Sequence, residues 1–367
     1  MHDPRIDNLA NILVNYSTNV QPGEWVGVLG DVAALPLIRA VFDQVVKAGG
    51  NPSLMLTDET LTRDFALLAN DDQMAWLDPA QSLYYDKADV YIRCGATPNT
   101  RSMTNVDPKR LQKIQSARAG WLATRMRRAA EGSMKWVGTM FPTDGSAQEA
   151  GMSLEEYESF VFGATFADKP DPVGEWKKLG DMQQKKIDWL KGKKDVRLKG
   201  PNIDLDVSID GRVFINACGT RNMPDGEIFT GPVEESINGW YRASFPSIVQ
   251  GRVVEGIELK FEDGRVINAT AAKNQDLLYS MLDADARSRY LGEFAIGTNF
   301  GIDRFTGSIL FDEKIGGTVH VALGAGYPDT GSKNKSSIHW DMICDMRKDS
   351  EIHVDGELFY KDGQFVV

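Results

Sequence analysis

The chain has four histidines, and two of them, His320 and His339, fall in the stretch between Glu293 and Asp341. His339 is followed two residues later by Asp341. If His339-Trp340-Asp341 is extended, alternation sends the imidazole and the carboxylate to one face and Trp340 to the other. One nitrogen and one carboxylate oxygen then stand side by side, the donor types that zinc or iron takes. His-x-Asp is a short pattern whose commoner meaning is a hydrogen-bonded pair. The company it keeps favours the metal. His320 lies in the apolar run Thr318–Leu323, where a buried polar group needs a partner. Glu293, Glu313 and Tyr327 are close in sequence. The stretch reads as a metal site, and the rest of the chain as the scaffold that holds it.

The scaffold has two textures. Ile6, Leu9, Leu13 and Tyr16 recur at helical spacing. Trp25–Leu29 reads as a buried strand, a helix runs from after Asp31 to about Ala48 and stops at Gly49-Gly50, and Ser53–Thr57 reads as a second strand. Residues 25–57 are thus a βαβ unit and imply a parallel sheet. A helix near 71–86, a strand at Asp89–Cys94, a helix over 108–131 and a strand at Lys135–Met140 continue the alternation. The turn after the first strand, LGDVAALP, lacks the glycine and Gly-Lys-Ser/Thr signatures of phosphate loops, so no nucleotide site is expected there. Ser153 with Glu156 opens a helix over 153–164 as a capping box, and a further helix follows Pro170-Asp171-Pro172.

Beyond residue 192 Asp-Gly recurs between alternating runs, in DLDVSI-DG-RVFINA, GIELKFE-DG-RVINAT and EIHV-DG-ELFYKDGQF. Asp-Gly in that setting predicts hairpins. One helix is expected near 272–287, leading directly to Glu293. The fold class expected is an α/β N-terminal domain with a parallel sheet, residues 1–192. A β-rich α+β C-terminal catalytic domain, residues 193–367, follows it.

Composition narrows the function. With 41 basic and 52 acidic residues the net charge is −11, which disfavours nucleic acid as a partner because phosphates need a basic surface. No apolar run approaches the roughly 20 residues of a membrane span. The start, MHDPRIDNLANIL, lacks a secretory pattern. Cys94, Cys218 and Cys344 are widely spaced and odd in number, which points to a reducing compartment and a cytoplasmic protein.

Several longer segments together resemble one family. NMPDGEIFTGPVEES (222–236), GEFAIGTN (292–299), FDEKIGGTVHVALG (311–324) and SSIHWDM (336–342) are similar to the M29 metallo-aminopeptidases, the aminopeptidase T group. So are residues 14–52 and 138–168, and the likeness therefore covers nearly the whole chain. The resemblance implies an N-terminal α/β domain before a β-rich catalytic domain, and homodimers that enclose the active sites. It implies two divalent metal ions, zinc or cobalt, with manganese or magnesium as alternatives, and removal of N-terminal residues from peptides or related small substrates. By the same resemblance Glu227, Glu293, His320, His339 and Asp341 are metal ligands, Glu313 is a further ligand, and Tyr327 stabilises the tetrahedral intermediate. Many members space the last Glu and His as DENAxxH, whereas here Glu313 and His320 stand further apart.

The chemistry is coherent on its own terms. Two metals can share a water and lower its pKa, while a glutamate such as Glu293 serves as base and then acid. A tyrosine hydroxyl can face the developing oxyanion. A second reading keeps only His320, His339 and Asp341, the two-histidine, one-carboxylate set of a mononuclear Fe(II) ring-cleaving dioxygenase. A third is a metal-poor binding homologue. Residue by residue, Glu227 and Glu313 also read as solvated turn carboxylates and Tyr327 as a loop-packing ring. Trp240-Tyr241 reads as core or pocket lining, His353 as part of a terminal hairpin, and His2 as part of a tail.

Overall fold

The computed structural model describes residues 3–249 and 251–367, so His2 lies outside the described residues. By packing, the chain divides into two compact units, Met1–Glu175 with Gly219–Pro224, and Trp176–Cys218 with Asp225–Val367. The change of texture in the sequence falls at 192/193, whereas the division by packing falls within the helix Pro172–Leu190. Among the described residues no helix is long and apolar enough to cross a membrane.

The first unit is built on a parallel sheet. Its strands are β1 (Trp25–Asp31), β2 (Asn51–Thr57), β3 (Val90–Gly95) and β4 (Lys135–Met140), and the short strand Asn222–Met223 joins β4. The order is β2-β1-β3-β4 and then Asn222–Met223, all parallel. The helix Leu35–Lys47 between β1 and β2 buries Leu37, Ile38, Val41 and Val45 at helical spacing. The single helix expected near 71–86 is two, Asp71–Ala75 and Pro79–Lys87. The cause is Pro79, which cannot continue a helix but fits its first turn, with the Asp78 carboxylate accepting the Ala80 N–H at 2.9 Å. The helix expected over 153–164 runs Leu154–Ala164, and Ser153 Oγ accepts the Glu156 N–H at 3.2 Å.

The second unit has two large antiparallel sheets with one core between them, and a two-stranded sheet of Ser247–Val249 and Arg252–Val254 beside these. The larger has eight strands, ordered from Arg265–Thr270 through Glu258–Glu262, Asn238–Arg242, Ile203–Ser208, Asp195–Gly200, Glu351–Val354 and Glu357–Lys361 to Gln364–Phe365. The smaller has five, ordered His339–Asp345, Thr318–Gly324, Leu291–Gly297, Glu227–Thr230 and Ile215–Ala217. Leu198, Leu205, Tyr241, Leu259 and Ile352 of the first pack with Phe294, Ile296, Val321 and Met342 of the second.

Two of the expected Asp-Gly hairpins form as such. Asp263-Gly264 and Asp355-Gly356 have positive φ at both residues, +47° and +80°, and +50° and +81°, the backbone that a two-residue hairpin needs. Asp210-Gly211 differs. Only Gly211 has positive φ, and the strands on either side pair in different sheets, Ile203–Ser208 in the larger and Ile215–Ala217 in the smaller. The expected helix near 272–287 is Gln275–Leu282.

Candidate metal centre

The five-stranded sheet carries apolar residues on one face and the polar cluster on the other. Its neighbours in register are Ala295 opposite His320, Ala322 opposite Asp341, Gly324 opposite His339 and Gly297 opposite Glu227. Small residues therefore alternate with the candidate ligands across the strands, leaving space above the sheet. The opposite face, with Phe294, Val319, Val321, Leu323, Trp340 and Met342, lies in the core.

Alternation with Phe294 and Ile296, which face that core, puts Glu293 on the polar face with Ala295 and Gly297. Leu291 faces the core as Phe294 does, so the strand must gain one residue between them. A β-bulge supplies it, because Leu291 pairs with Leu323 while Glu293 pairs with Ala322. The extra residue is Gly292, and a Cβ there would lie 2.3 Å from the Ala325 carbonyl oxygen. The bulge turns Leu291 back into the core while Glu293 keeps its place on the polar face.

The expected geometry of His339-Trp340-Asp341 is present. Trp340 is buried and its Nε1–H donates to Ser247 Oγ at 2.6 Å, while His339 Nε2 and Asp341 Oδ1 are 3.4 Å apart on the other face. His339 Nδ1 lies 2.7 Å from the Ala325 carbonyl oxygen. A carbonyl only accepts, so Nδ1 carries a proton and Nε2 is the nitrogen that faces the cluster. There burial opposes the charge on the imidazole, but the Asp341 and Glu293 carboxylates outweigh it and hold the ring well above its ordinary range. His339 Nε2 is 3.3 Å from Glu293 Oε2, and His320 Nε2 is 3.6 Å from Glu293 Oε1 and 3.3 Å from Glu227 Oε2.

All six candidate ligands come together. Glu227, Glu293 and His320 form one group, Glu293, His339 and Asp341 a second, and Glu313, His320 and Asp341 a third, each with one donor atom per residue within 4.8 Å of the others. Glu227 Oε2, Asp341 Oδ1 and His320 Nδ1 are buried without a hydrogen-bond partner; the imidazoles near the two oxygens are close but not aligned for hydrogen bonding. Four carboxylates, two imidazoles and three orphaned polar atoms fit a divalent cation.

Lys314 is a residue the sequence reading missed. It is fully buried, bonded to the Glu313 carboxylate and 3.7 Å from Glu227 Oε1. Burial opposes its charge, but Glu313 and Glu227 outweigh it and hold the ammonium well above its ordinary range. Burial pushes Glu227 up to about 8 and raises Glu313. It also pushes Glu293 up, yet His320 and His339 outweigh it and leave that carboxyl below its usual range. Burial acts to lower His320, but Glu293 and Glu227 carry it up to about 9. A lysine after Asp-Glu in a turn normally reads as solvated, and only the apolar, glycine-rich IGGTVHVALG that follows hints otherwise. Gln183 was missed as well; it is fully buried, and its side-chain amide Nε2–H donates to the Glu227 carbonyl oxygen at 2.8 Å and Thr298 Oγ1 at 3.0 Å.

The Tyr327 ring stands edge-on to His339 with centroids 5.4 Å apart, and as close to Phe229. Its loop is tied down at Glu234, which accepts the Lys333 N–H and pairs with buried Arg212 at 2.6 Å. A cavity of about 300 Å3 opens beside His339 and Asp341, walled by Ile248, Val249, Phe305 and Ile309. Trp240 and Tyr241 are elsewhere: Tyr241 is core, with its hydroxyl donating to the Met342 carbonyl oxygen, and Trp240 is exposed on the larger sheet. His353 pairs with Glu351 in the terminal hairpin.

The family model for thermophilic metalloproteases (M29) matches residues 2–365. Aminopeptidase 2 of Geobacillus stearothermophilus is 27% identical, over 96% of this chain and 91% of that protein. Aminopeptidase T of Thermus thermophilus is 26% identical, over 98% and 95%. Among solved structures, wild-type AmpT from Thermus thermophilus superposes with a TM-score of 0.87 at 22% identity, covering 99% of each chain. The 2,5-dihydroxypyridine dioxygenase from Pseudomonas putida KT2440 gives 0.55 at 14% identity, over 99% of this chain and 97% of that one. These structural likenesses bear out the fold.

Proposed function

Because the chain belongs to the thermophilic metalloprotease (M29) family, we propose that it is an aminopeptidase that removes N-terminal residues from peptides with two divalent metal ions. The observation that carries this reading is the overlap of the three ligand groups, in which Glu293, His320 and Asp341 each belong to two. Overlap is what a pair of ions sharing ligands requires, and a mononuclear Fe(II) centre on His320, His339 and Asp341 would leave Glu227, Glu293 and Glu313 without a task.

Zinc or cobalt held there, or manganese or magnesium, would supply Lewis acidity and a water acidified towards neutral pH. Glu227 and His320 hold one side of the site, His339 and Asp341 the other, with Glu293 between them and Glu313 as a further ligand. Glu293 takes the proton of the attacking water and returns it to the leaving amine. Tyr327 donates its hydroxyl to the substrate carbonyl oxygen as negative charge develops there. The cavity walled by Ile248, Val249, Phe305 and Ile309 receives the side chain of the N-terminal residue. Leu61, Leu68 and Trp76 are 69%, 83% and 62% exposed, apolar side chains suited to burial in a homodimer. We place the protein in the cytoplasm on its cysteine usage.

The test is hydrolysis of a leucine aryl-amide by metal-free protein titrated with Co(II) or Zn(II). Activity should reach a plateau near two ions per chain and vanish when the substrate is N-acetylated. No hydrolysis with either ion removes this reading, and oxygen uptake with a dihydroxylated aromatic ring after anaerobic Fe(II) loading would replace it with the dioxygenase.

A further inference from the structure

The first unit has a crevice lined by its own residues. In an open parallel sheet, ligands bind outside the carboxyl ends of the strands, where successive crossovers turn to opposite sides. With the order β2-β1-β3-β4 that point lies between β1 and β3. A cavity of about 490 Å3 opens there, lined by Gly30 and Asp31 at the end of β1, Arg93 and Gly95 of β3, and Arg118 and Arg125 of the helix Pro108–Ala130.

The three arginines are unlike their neighbours. Arg110, Arg127 and Arg128 of the same helix all find acceptors: the Ala66 carbonyl, Glu131, and the carbonyls of Tyr85, Ala88 and Ser133. Arg101 pairs with Glu149. Among the described residues Arg93, Arg118 and Arg125 have no carboxylate within ion-pair distance. Arg125 is half-buried, its guanidinium lies 4.5 Å from the Trp136 ring centroid, and its Nε is buried without an acceptor. Burial holds that guanidinium below its ordinary range, and the Arg93 charge pushes the same way. The acidic groups of the crevice are engaged elsewhere, since Asp31 accepts the Ala33 N–H at 2.9 Å and Glu59 the Asn99 N–H at 3.1 Å. In a chain of net charge −11, three unpaired guanidiniums in one concavity are an unfilled electrostatic demand.

We propose that this crevice binds a small molecule bearing an oxyanion, a phosphate or a carboxylate, through Arg93, Arg118 and Arg125. Guanidiniums grip such groups in bidentate fashion, so the absence of a glycine-rich phosphate loop after β1 is no obstacle. The aromatic wall of Tyr85, Tyr91 and Trp121 gives the rest of the molecule a face to pack on.

The experiment is thermal unfolding of the full-length, metal-loaded protein in potassium phosphate, potassium acetate and potassium chloride at matched ionic strength. Phosphate, acetate or both should raise the midpoint saturably above chloride. Arg93→Gln and Arg118→Gln should each raise the half-saturating concentration about tenfold or more, with peptidase turnover unchanged. Both side chains are exposed, and a wild-type midpoint in chloride checks that the variants fold. A response to phosphate alone identifies a phosphate ligand, and a response to acetate as well a carboxylate site. No rise beyond chloride with either salt overturns the proposal, as does a saturable rise that survives both substitutions, which would place the anion elsewhere, for instance at the metal centre.

Discussion

The parallel sheet of the first unit and the five-stranded antiparallel sheet of the second assemble polar groups in different ways. In the parallel sheet chemistry is available only where strands end, and the crevice between β1 and β3 draws Arg93 from a strand and Arg118 and Arg125 from a helix. In the antiparallel sheet the polar groups stand on the faces of adjacent strands, so that Glu227, Glu293, His320, His339 and Asp341 are fixed by register. A strand-face site is positioned by hydrogen-bonded ladders and tolerates little motion. A strand-end site is positioned by loops and a helix, and can adapt. Opposite charges meet within the first kind and remain unpaired in the second.

The comparison is broken most directly at the antiparallel sheet. Glu293→Ala should reduce peptidase turnover by at least about a thousandfold while circular dichroism stays native; wild-type-like turnover would take Glu293 out of the mechanism. Next in size is Lys314→Met, which leaves Glu227 and Glu313 buried without their cation. Removing one partner of a buried pair costs about 3–5 kcal/mol, and urea unfolding should show that loss in the metal-free protein and a smaller one with zinc bound. An equal loss in both forms would mean that Lys314 and the metal do not answer the same charges.

Glu227, pushed up to about 8, and His320, carried up to about 9, give a pH dependence of definite sign. Both hold protons in the native metal-free state that the unfolded chain, with ordinary pKa values, releases earlier. The native state therefore binds more protons, and metal-free stability should fall as pH rises from 6 to 9. Metal must displace those protons, so affinity should rise over the same window. Titration calorimetry in two buffers of different ionisation enthalpy checks it; no proton release on zinc binding at pH 7 would contradict the assignment. The smallest effect belongs to His353→Ala, a partly exposed pair with Glu351 at 3.0 Å. Stability should stay within about 0.5 kcal/mol and turnover should not change.

What the sequence could reveal follows from how local each signal is. The shared face of His339 and Asp341 depends on three residues of extended backbone, and it was readable. So were the βαβ alternation and the hairpins at Asp263-Gly264 and Asp355-Gly356. The face of Glu293 follows from its alternation with Phe294 and Ile296, but the return of Leu291 to the core depends on a bulge, and the pattern LGEFAIG contains nothing but Gly292 to announce it. Lys314 was hidden because its burial is decided by residues far along the chain, Glu227 among them. Asp210-Gly211 failed as a hairpin because its flanking strands found partners in two different sheets, a choice made by tertiary packing and invisible to a local turn rule.

Gly292 also carries a mutational consequence. The space for its missing side chain is filled by the Ala325 carbonyl oxygen, on the same residue whose carbonyl accepts from His339 Nδ1. One backbone carbonyl thus blocks any larger residue at the bulge and also sets the tautomer of a candidate ligand. A substitution at Gly292 that displaced Ala325 would disturb Glu293 and His339 together. A single inherited change at Gly292 can therefore cost both candidate ligands at once, although neither residue has itself been altered.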